Sequence, residues 1–508
     1  MIPVPDLNFT AVMPLLVISV GTLVVILGEI LLAGRETFLG RAITREWVGS
    51  VLAIVSAVFL GAVVVLACQH FIAGTAIVFN PENPLIRLDR FASFSIALVC
   101  GAALLSCLLS VAYLAELRIN HGEYYALILL ATAGMVLLVS AVDLVSVFLG
   151  IELMSIPIYV LAGFDRRKLR SNESALKYFL VGSFASALLL YGMALLFGVT
   201  GHTDFEGIRA AFDVENPLAM IGLGLVIVGF TFKISSVPFH QWTPDVYEGA
   251  PTTVTAFMSV TVKVAAFAAM LRIVIGAFDP AAESLSSLLW VLAVATMVLG
   301  NVMAVIQDNV KRMLAYSSIA HAGYLLIGFV AATDGAYSAV MFYLIVYVFM
   351  NLGAFAVIVA LANRGQDCDR IGDFAGLAES RPGLAALMTL FMLALAGIPG
   401  TGGFMAKFTL FAAAVEAGYV NITIIAVLAS LVSVYFYLRV PMAMYMREPG
   451  EEKPRAELSS GEWAVLAVCA VAVILLGIFP NNEPSDFFSW LRALDWSRES
   501  VSLLLVSR

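Results

Sequence analysis

The sequence predicts an all-α polytopic membrane protein of about fourteen transmembrane helices, arranged as two inverted five-helix repeats that each contain a broken helix. Three observations lead there. Of 508 residues, 61% are hydrophobic and 13% charged, with a mean hydropathy of +0.97; a soluble globule could not cover its surface with so few polar groups. The apolar residues are gathered into about fourteen runs of the roughly 18 or more residues that a bilayer requires. Finally, the chain weakly repeats itself.

The runs lie near residues 9–32, 47–69, 91–115, 123–141, 143–162, 174–199, 217–236, 252–276, 288–306, 314–332, 336–362, 384–414, 422–446 and 461–480. The first lacks a basic leading segment and a small-residue cleavage site, so it is expected to be retained rather than removed as a signal peptide. Lys and Arg gather in the connections leaving odd-numbered helices: Arg35, Arg41 and Arg45, Arg118, Arg166 to Lys168 and Arg170, Lys311 and Arg312, Arg364, Arg370 and Arg381, Arg447, Lys453 and Arg455. The opposite loops offer Arg87, Arg90, Arg209 and Arg272. The positive-inside rule then puts both termini on the non-cytoplasmic side.

A shift of 165 positions matches Asp143 with Asp308, Val145 with Val310, Leu149 with Leu314, Tyr159 with Tyr324, Leu161 with Leu326, Gly163 with Gly328, Phe164 with Phe329 and Tyr178 with Tyr343. Pro238 and Pro399, each interrupting an apolar helix, stand at nearly the same offset. A unit of five helices is odd, so its second copy enters the membrane from the other side, the arrangement that puts ion sites at broken helices near the midplane. The expected units are residues 1–120 (helices 1–3), 121–280 (helices 4–8), 281–447 (helices 9–13) and 448–508 (helix 14 and a tail).

Charges inside apolar helices are the next signal, because a charge at the bilayer centre costs about 2.5–3.5 kcal/mol even on the lenient scale and is placed against a partner or water. Glu152 is mid-helix in its run; the bland reading is a neutral, hydrogen-bonded carboxyl. Lys177 lies one turn into its helix, four residues after Glu173, so an interfacial i,i+4 pair is the alternative to a buried role. Lys233 ends a run just before the break at Pro238, and Lys263 is at a helix centre. His321 reads either as a satisfied core histidine or as a relay group. Lys407 follows the second break, at Pro399. Lys311 and Arg312 read as positive-inside anchors, and Glu29 as a side chain snorkelling to the interface. Burial favours the neutral form of an amine, and an ionised carboxylate beside it reverses that. At an effective dielectric near 20, a unit charge moved to about 4 Å is worth about 4 kcal/mol, on the order of three pKa units. Swinging Lys177 between Glu152 and Lys233 would therefore load or unload a proton.

Five cysteines, Cys68, Cys100, Cys107, Cys368 and Cys469, show no CxxC spacing and suggest neither a disulfide framework nor a metal site. There is no Walker A motif, no GxGxxG opening a βαβ unit and no paired intramembrane histidines for haem. The net charge of −8 is spread over loops, and nothing points to nucleic acid.

Together the segments Gly150-Ile151-Glu152-Leu153-Met154-Ser155, Ala175-Leu176-Lys177-Tyr178-Phe179-Leu180-Val181-Gly182-Ser183, Phe232-Lys233-Ile234-Ser235-Ser236-Val237-Pro238-Phe239-His240, Trp242-Thr243-Pro244-Asp245-Val246-Tyr247-Glu248-Gly249 and Lys311-Arg312-Met313-Leu314-Ala315-Tyr316-Ser317-Ser318-Ile319-Ala320-His321 resemble the subunit N family of the proton-pumping NADH:quinone oxidoreductase, respiratory complex I. The likeness covers nearly the whole chain. It implies a fourteen-helix antiporter-like fold with two inverted half-channels on a central hydrophilic axis. It implies too that Glu152 and Lys177 form a coupling pair, that Lys233 and Lys263 form a central relay, that His321 sits near the join between halves, and that Lys407 ends the second half-channel. Lysine at 407 favours subunit N over the sister subunits, one of which has glutamate there. The second break reads Ile398-Pro399-Gly400, where the family commonly has two prolines. The resemblance further implies a bacterial inner membrane, antiporter-like and small helical membrane-arm subunits as partners, and no cofactor in this chain, with NADH, FMN, iron–sulfur clusters and quinone on other subunits. A multi-subunit Na+/H+ antiporter of the Mrp type, a ferredoxin- or other donor-linked relative, and a non-translocating scaffold stay open as alternatives.

Overall fold

A computed structural model describes residues 7–32, 37–38, 41–42, 44–362, 368–448, 458–480 and 492–506. Of the loop cations named above, Arg35, Arg364, Lys453 and Arg455 lie outside the described residues. The chain opens with helices α1 (Met13–Leu32), α2 (Arg45–Ala73) and α3 (Arg90–Glu116). It continues through α4 (Gly122–Ser140), α5 (Leu144–Ala162), α6 (Leu169–Thr200), α7 (Phe205–Ala211), α8 (Pro217–Lys233), α9 (Trp242–Gly249) and α10 (Thr252–Ala277). Then come α11 (Ala282–Val305), α12 (Val310–Ala331), α13 (Asp334–Leu361), α14 (Leu377–Ser380), α15 (Pro382–Ala396), α16 (Gly402–Glu416) and α17 (Val420–Met446), with α18 (Ser460–Ile478) and α19 (Ala493–Val506) last.

Twelve of the described helices are long and apolar enough to span a bilayer, and α8 and α15 are shorter apolar helices. The run at 384–414 is split between α15 and α16, and the break after α8 is followed by the short α9. The fourteen expected runs are thus all helical, with the two interruptions where Pro238 and Pro399 stand. Local chemistry sets the ends. Asp89, Asp143 and Asn309 accept amides at the starts of α3, α5 and α12, satisfying donors that a helix start leaves over. Gly74 and Gly201 end α2 and α6 with φ of 69° and 74°, a left-handed conformation that only glycine takes without penalty.

The repeat is visible in the backbone. An isolated antiparallel bridge joins Asp143 to Asp204 before α5, and another joins Asn309 to Arg370 before α12. Both positions of the second bridge follow the first by the same offset, one residue longer than the shift found by matching letters. The capping partner of Asp143 is therefore Asn309 and not Asp308, which instead accepts from Arg439 at 2.6 Å.

Burial places the middle of the molecule. The most apolar windows of α10, α12 and α13 are 94, 100 and 89% buried, against 22% for α1 and 33% for α2 and α6. Polar groups on the three inner helices therefore meet protein, not lipid. Glycine allows the close crossings: a Cβ on Gly134 of α4 would meet the backbone of Met154 on α5. Gly134→Val should lower stability by about 1–3 kcal/mol, the usual range for forcing volume into a packed contact, seen as an earlier melting transition in detergent.

Two charged residues serve packing. Arg272 near the end of α10, 2% exposed, donates to both oxygens of Asp89 at 3.0 and 2.6 Å and stacks 5.0 Å over Phe91. Glu29, near the end of α1, has its carboxylate among the helix ends, where it accepts the Gly122 amide at 3.0 Å, so it holds α1 against the positive end of α4.

Candidate functional site: a buried polar axis

The axis starts on α5, where Glu152, Ser155 and Tyr159 follow at i, i+3 and i+7 and so share one face. Lys233, the last residue of α8 and 3% exposed, donates to Ser155 Oγ at 2.7 Å and to Tyr159 OH at 3.3 Å. Its Nζ lies 5.5 Å from the Tyr159 ring centre and 5.2 Å from that of Phe232, a cation–π arrangement that holds an ammonium where water is scarce. Glu152 is half-buried, and its Oε1 is buried with no hydrogen-bond partner among the described residues.

The break after Lys233 is held by α11. Thr296 exchanges a hydrogen bond with Ser236 at 2.8 Å and accepts the Val237 amide at 3.0 Å, and the Trp242 indole donates to the Phe232 carbonyl at 3.3 Å. Ser235 Oγ, His240 Nδ1 and Thr243 Oγ1 are buried there with no hydrogen-bond partner among the described residues. Buried polar atoms of this kind are satisfied by ordered water, and interrupted backbone is tolerated at membrane depth where it lines such a wet path.

Toward the centre, Lys263 on α10 is 1% exposed and donates to the Ser318 carbonyl of α12, beneath the Tyr347 ring. Tyr347 of α13 donates to Ser318 Oγ at 2.8 Å. One turn on, His321 meets Tyr343 OH through Nδ1 at 2.5 Å and Tyr437 OH through Nε2 at 3.2 Å, and Tyr437 also meets Ser317. His321 is thus both buried and connected: its two ring nitrogens join α13 to α17. Lys407 on α16, 6% exposed, donates to the carbonyls of Leu395 and Ala396 at 3.2 and 2.9 Å and to Ser430 Oγ at 2.8 Å. Its Nζ lies 5.2 Å from the Tyr324 ring centre.

Both break lysines therefore sit at the carbonyl end of a half-helix, Lys233 on its own α8 and Lys407 against the end of α15. Unpaired carbonyls there carry partial negative charge and stabilise a cation. Each lysine also lies over one member of the matched pair Tyr159 and Tyr324, so the repeat read from letters recurs as geometry. The second break is turned by Gly397 and Gly400, at φ of 84° and 87°, on either side of Ile398 and Pro399.

Two expectations need correction. Lys177 is not paired with Glu152: its ammonium bonds Glu173 at 2.7 Å and Asp245 at 2.9 Å, with 44% of the side chain exposed. It belongs to a surface network in which Arg312 reaches Asp245 at 2.7 Å and Glu248 at 3.0 Å, and Arg170 reaches Glu248 at 3.5 Å. One turn into α6 the helix is still at the rim, where carboxylates are at hand. Lys311, read as an interfacial anchor, is 1% exposed and donates to the Ala250 carbonyl at 2.9 Å. Asp245, outside the spans, is raised by burial and lowered by hydrogen bonds from Lys177 and Arg312, which win, so its carboxyl titrates below its ordinary 3.8. A depressed carboxyl contributes stability above its unfolded pKa and loses it as pH falls through the folded one. The network should hold across neutral and mildly acidic pH and weaken below about 3.8, which thermal melting across a pH series would show and Asp245→Asn would abolish.

Sequence reasoning missed the tyrosine and serine lining, Tyr343, Tyr347, Tyr437, Ser318 and Ser430 among them. Hydroxyls carry no charge cost that would mark them in a hydropathy scan; only the repeat offered a signal, by matching Tyr159 with Tyr324 and Tyr178 with Tyr343.

A twofold-repeated helical bundle with a lysine at each interrupted helix and hydroxyl groups between them is an antiporter-like, ion-conducting membrane protein. The family described as "NADH:quinone oxidoreductase/Mrp antiporter, TM" matches residues 141–433, so the chain belongs to that family, and its curated relatives place it with NADH-quinone oxidoreductase subunit N. The chain is 50% identical to subunit N of Trichlorobacter lovleyi over 78% of its own length and 82% of the relative's. With subunit N 1 of Sorangium cellulosum it shares 44% over 94% and 97% of the two chains. Among solved structures, a chain of respiratory complex I from Thermus thermophilus with bound aureothin is 31% identical, with a TM-score of 0.77 over 92% of this chain and 97% of that one. A chain of the Mrp complex from Dietzia shares the fold, with a TM-score of 0.83 at 23% identity over 98% of each chain.

Proposed function

We propose that this chain is a membrane-arm subunit of an NADH:quinone oxidoreductase and passes protons across the membrane, driven by quinone reduction in other subunits. The observation that carries this is the burial of Lys233, Lys263, His321 and Lys407 across both repeats, each of them against tyrosine and serine side chains or carbonyls of its own cluster. Amines and imidazole gain and lose protons, hydroxyls both donate and accept, and water at the breaks completes the contacts. Glu152 opens the axis at the outer edge of α5, and Lys177 acts from the rim through Asp245. The electron carriers NADH, FMN, iron–sulfur clusters and quinone belong to other subunits, and this chain holds no redox centre. It lies in a bacterial inner membrane with both termini on the non-cytoplasmic side, beside other antiporter-like and small helical subunits, and its half-channels occupy residues 121–280 and 281–447.

The test is proton uptake by proteoliposomes containing the assembled complex, with NADH as donor. Tyr437→Phe removes the hydroxyl between His321 and Ser317 with little change of shape; a several-fold loss of pumping at unchanged assembly is expected. Loss of assembly instead would favour a scaffold. The Mrp-like reading rests on shared fold, and sodium-dependent exchange without an electron donor would support it.

A further inference from the structure

On the arginine-bearing side, two cavities that share lining residues lie between α1, α4 and the end of α5. The deeper, about 320 Å³, is a mainly apolar slot walled by Thr22, Ile26, Ala126, Leu127, Leu130 and Val160. It shares Glu123, Phe164 and Arg166 with a cup of about 300 Å³ at the helix ends, which Arg45, Arg118, His121 and Arg167 also line. The cup holds the carboxylates Glu29, Glu123 and Asp165 as well. Asp165 is engaged by Arg167 at 3.0 Å and Lys168 at 4.0 Å, and Glu29 by the Gly122 amide. Arg45, Arg118 and Arg166 make no side-chain hydrogen bond or ion pair among the described residues. Among the described residues the cup is therefore lined by three unengaged guanidiniums and one unengaged carboxylate, Glu123.

An apolar slot within the bilayer that opens into a positively charged cup at its rim has the two-part character of a phospholipid. We propose that this is a docking site for an anionic phospholipid, its acyl chain in the slot and its phosphodiester among Arg45, Arg118 and Arg166. Basic pockets between transmembrane helices recognise anionic head groups in this way, and a guanidinium offers a phosphate paired donors. The excess of positive charge selects a lipid with net negative charge over a zwitterionic one. A larger apolar cavity, about 900 Å³ against α2, α3, α13, α18 and α19, has no such selectivity, because its Arg90 and Arg492 are paired with Glu499 and Asp495.

The experiment uses the assembled complex in nanodiscs of phosphatidylcholine with a minor fraction of phosphatidylglycerol. A photoactivatable phosphatidylglycerol should label peptides from 118–130 and 160–166 in the unaltered protein, and the zwitterionic analogue should not. Arg118→Gln with Arg166→Gln should cut phosphatidylglycerol retention, read by native mass spectrometry, by roughly 30-fold if each arginine contributes as cationic residues near an anionic surface do. Ala126→Trp, filling the slot, should abolish labelling with the arginines intact. Equal labelling by both lipids, or labelling unchanged in both variants, overturns the proposal. So does displacement of the lipid by millimolar inorganic phosphate, which would make the cup a free-phosphate site.

Discussion

Lys233→Met is expected to leave an assembled complex whose proton translocation has fallen by roughly tenfold or more, in the range that loss of a positioned proton-transfer group produces. The reason is connectivity. Lys233 is the group through which Ser155 and Tyr159 on α5 meet the first break, and methionine fills the space without a proton to give. Lys233→Arg separates charge from exchange, because a guanidinium keeps its proton at any physiological pH; it should assemble as the original does and still pump poorly. Glu152→Gln should fall in the same direction. Measured as acidification per NADH oxidised, full pumping in both Lys233→Met and Glu152→Gln would remove the axis from the mechanism.

Arg272→Leu alone should be the most damaging change to stability, lowering it by about 3–5 kcal/mol. Asp89 would be left buried with an unpaired charge, while it also caps α3 through the Ala92 amide at 2.8 Å. Combining Arg272→Leu with Asp89→Asn should recover much of the loss, since an amide can still cap the helix and no longer carries charge. A double variant as unstable as the single one, by thermal melting in detergent, would show that the pair matters for its shape and not for its charge.

Much of this architecture was legible in the letters because a bilayer punishes misplaced charge. Lys233, Lys263, His321 and Lys407 stood out as cost without visible partner, and all are buried at 6% exposure or less. The breaks were legible because proline removes a donor from a helix. The pairing of Lys177 was legible in part: the i,i+4 partner Glu173 follows from spacing, but the second partner is decided by which loop folds back over the rim, and Asp245 comes from 68 residues away. Lys311 differed for a related reason, since the positive-inside rule gives the side of the membrane but not whether protein covers the side chain there. At the cap the registration of the repeat was off by one residue, because a cap position accepts either Asp or Asn and letter matching preferred identity, while Tyr159 and Tyr324 kept the letter-matched offset.

The ties of Arg312 to Asp245 and Glu248 clamp α12, in the second unit, to α9, in the first. Carriers of the rocking kind must tilt one bundle past its twin to expose a central cargo alternately to each side. Here such a tilt would have to break that ionic seam, which opposes it. If the seam persists through turnover, the speed of transport should follow the reorientation of lysines and hydroxyls instead of any swing of the whole body.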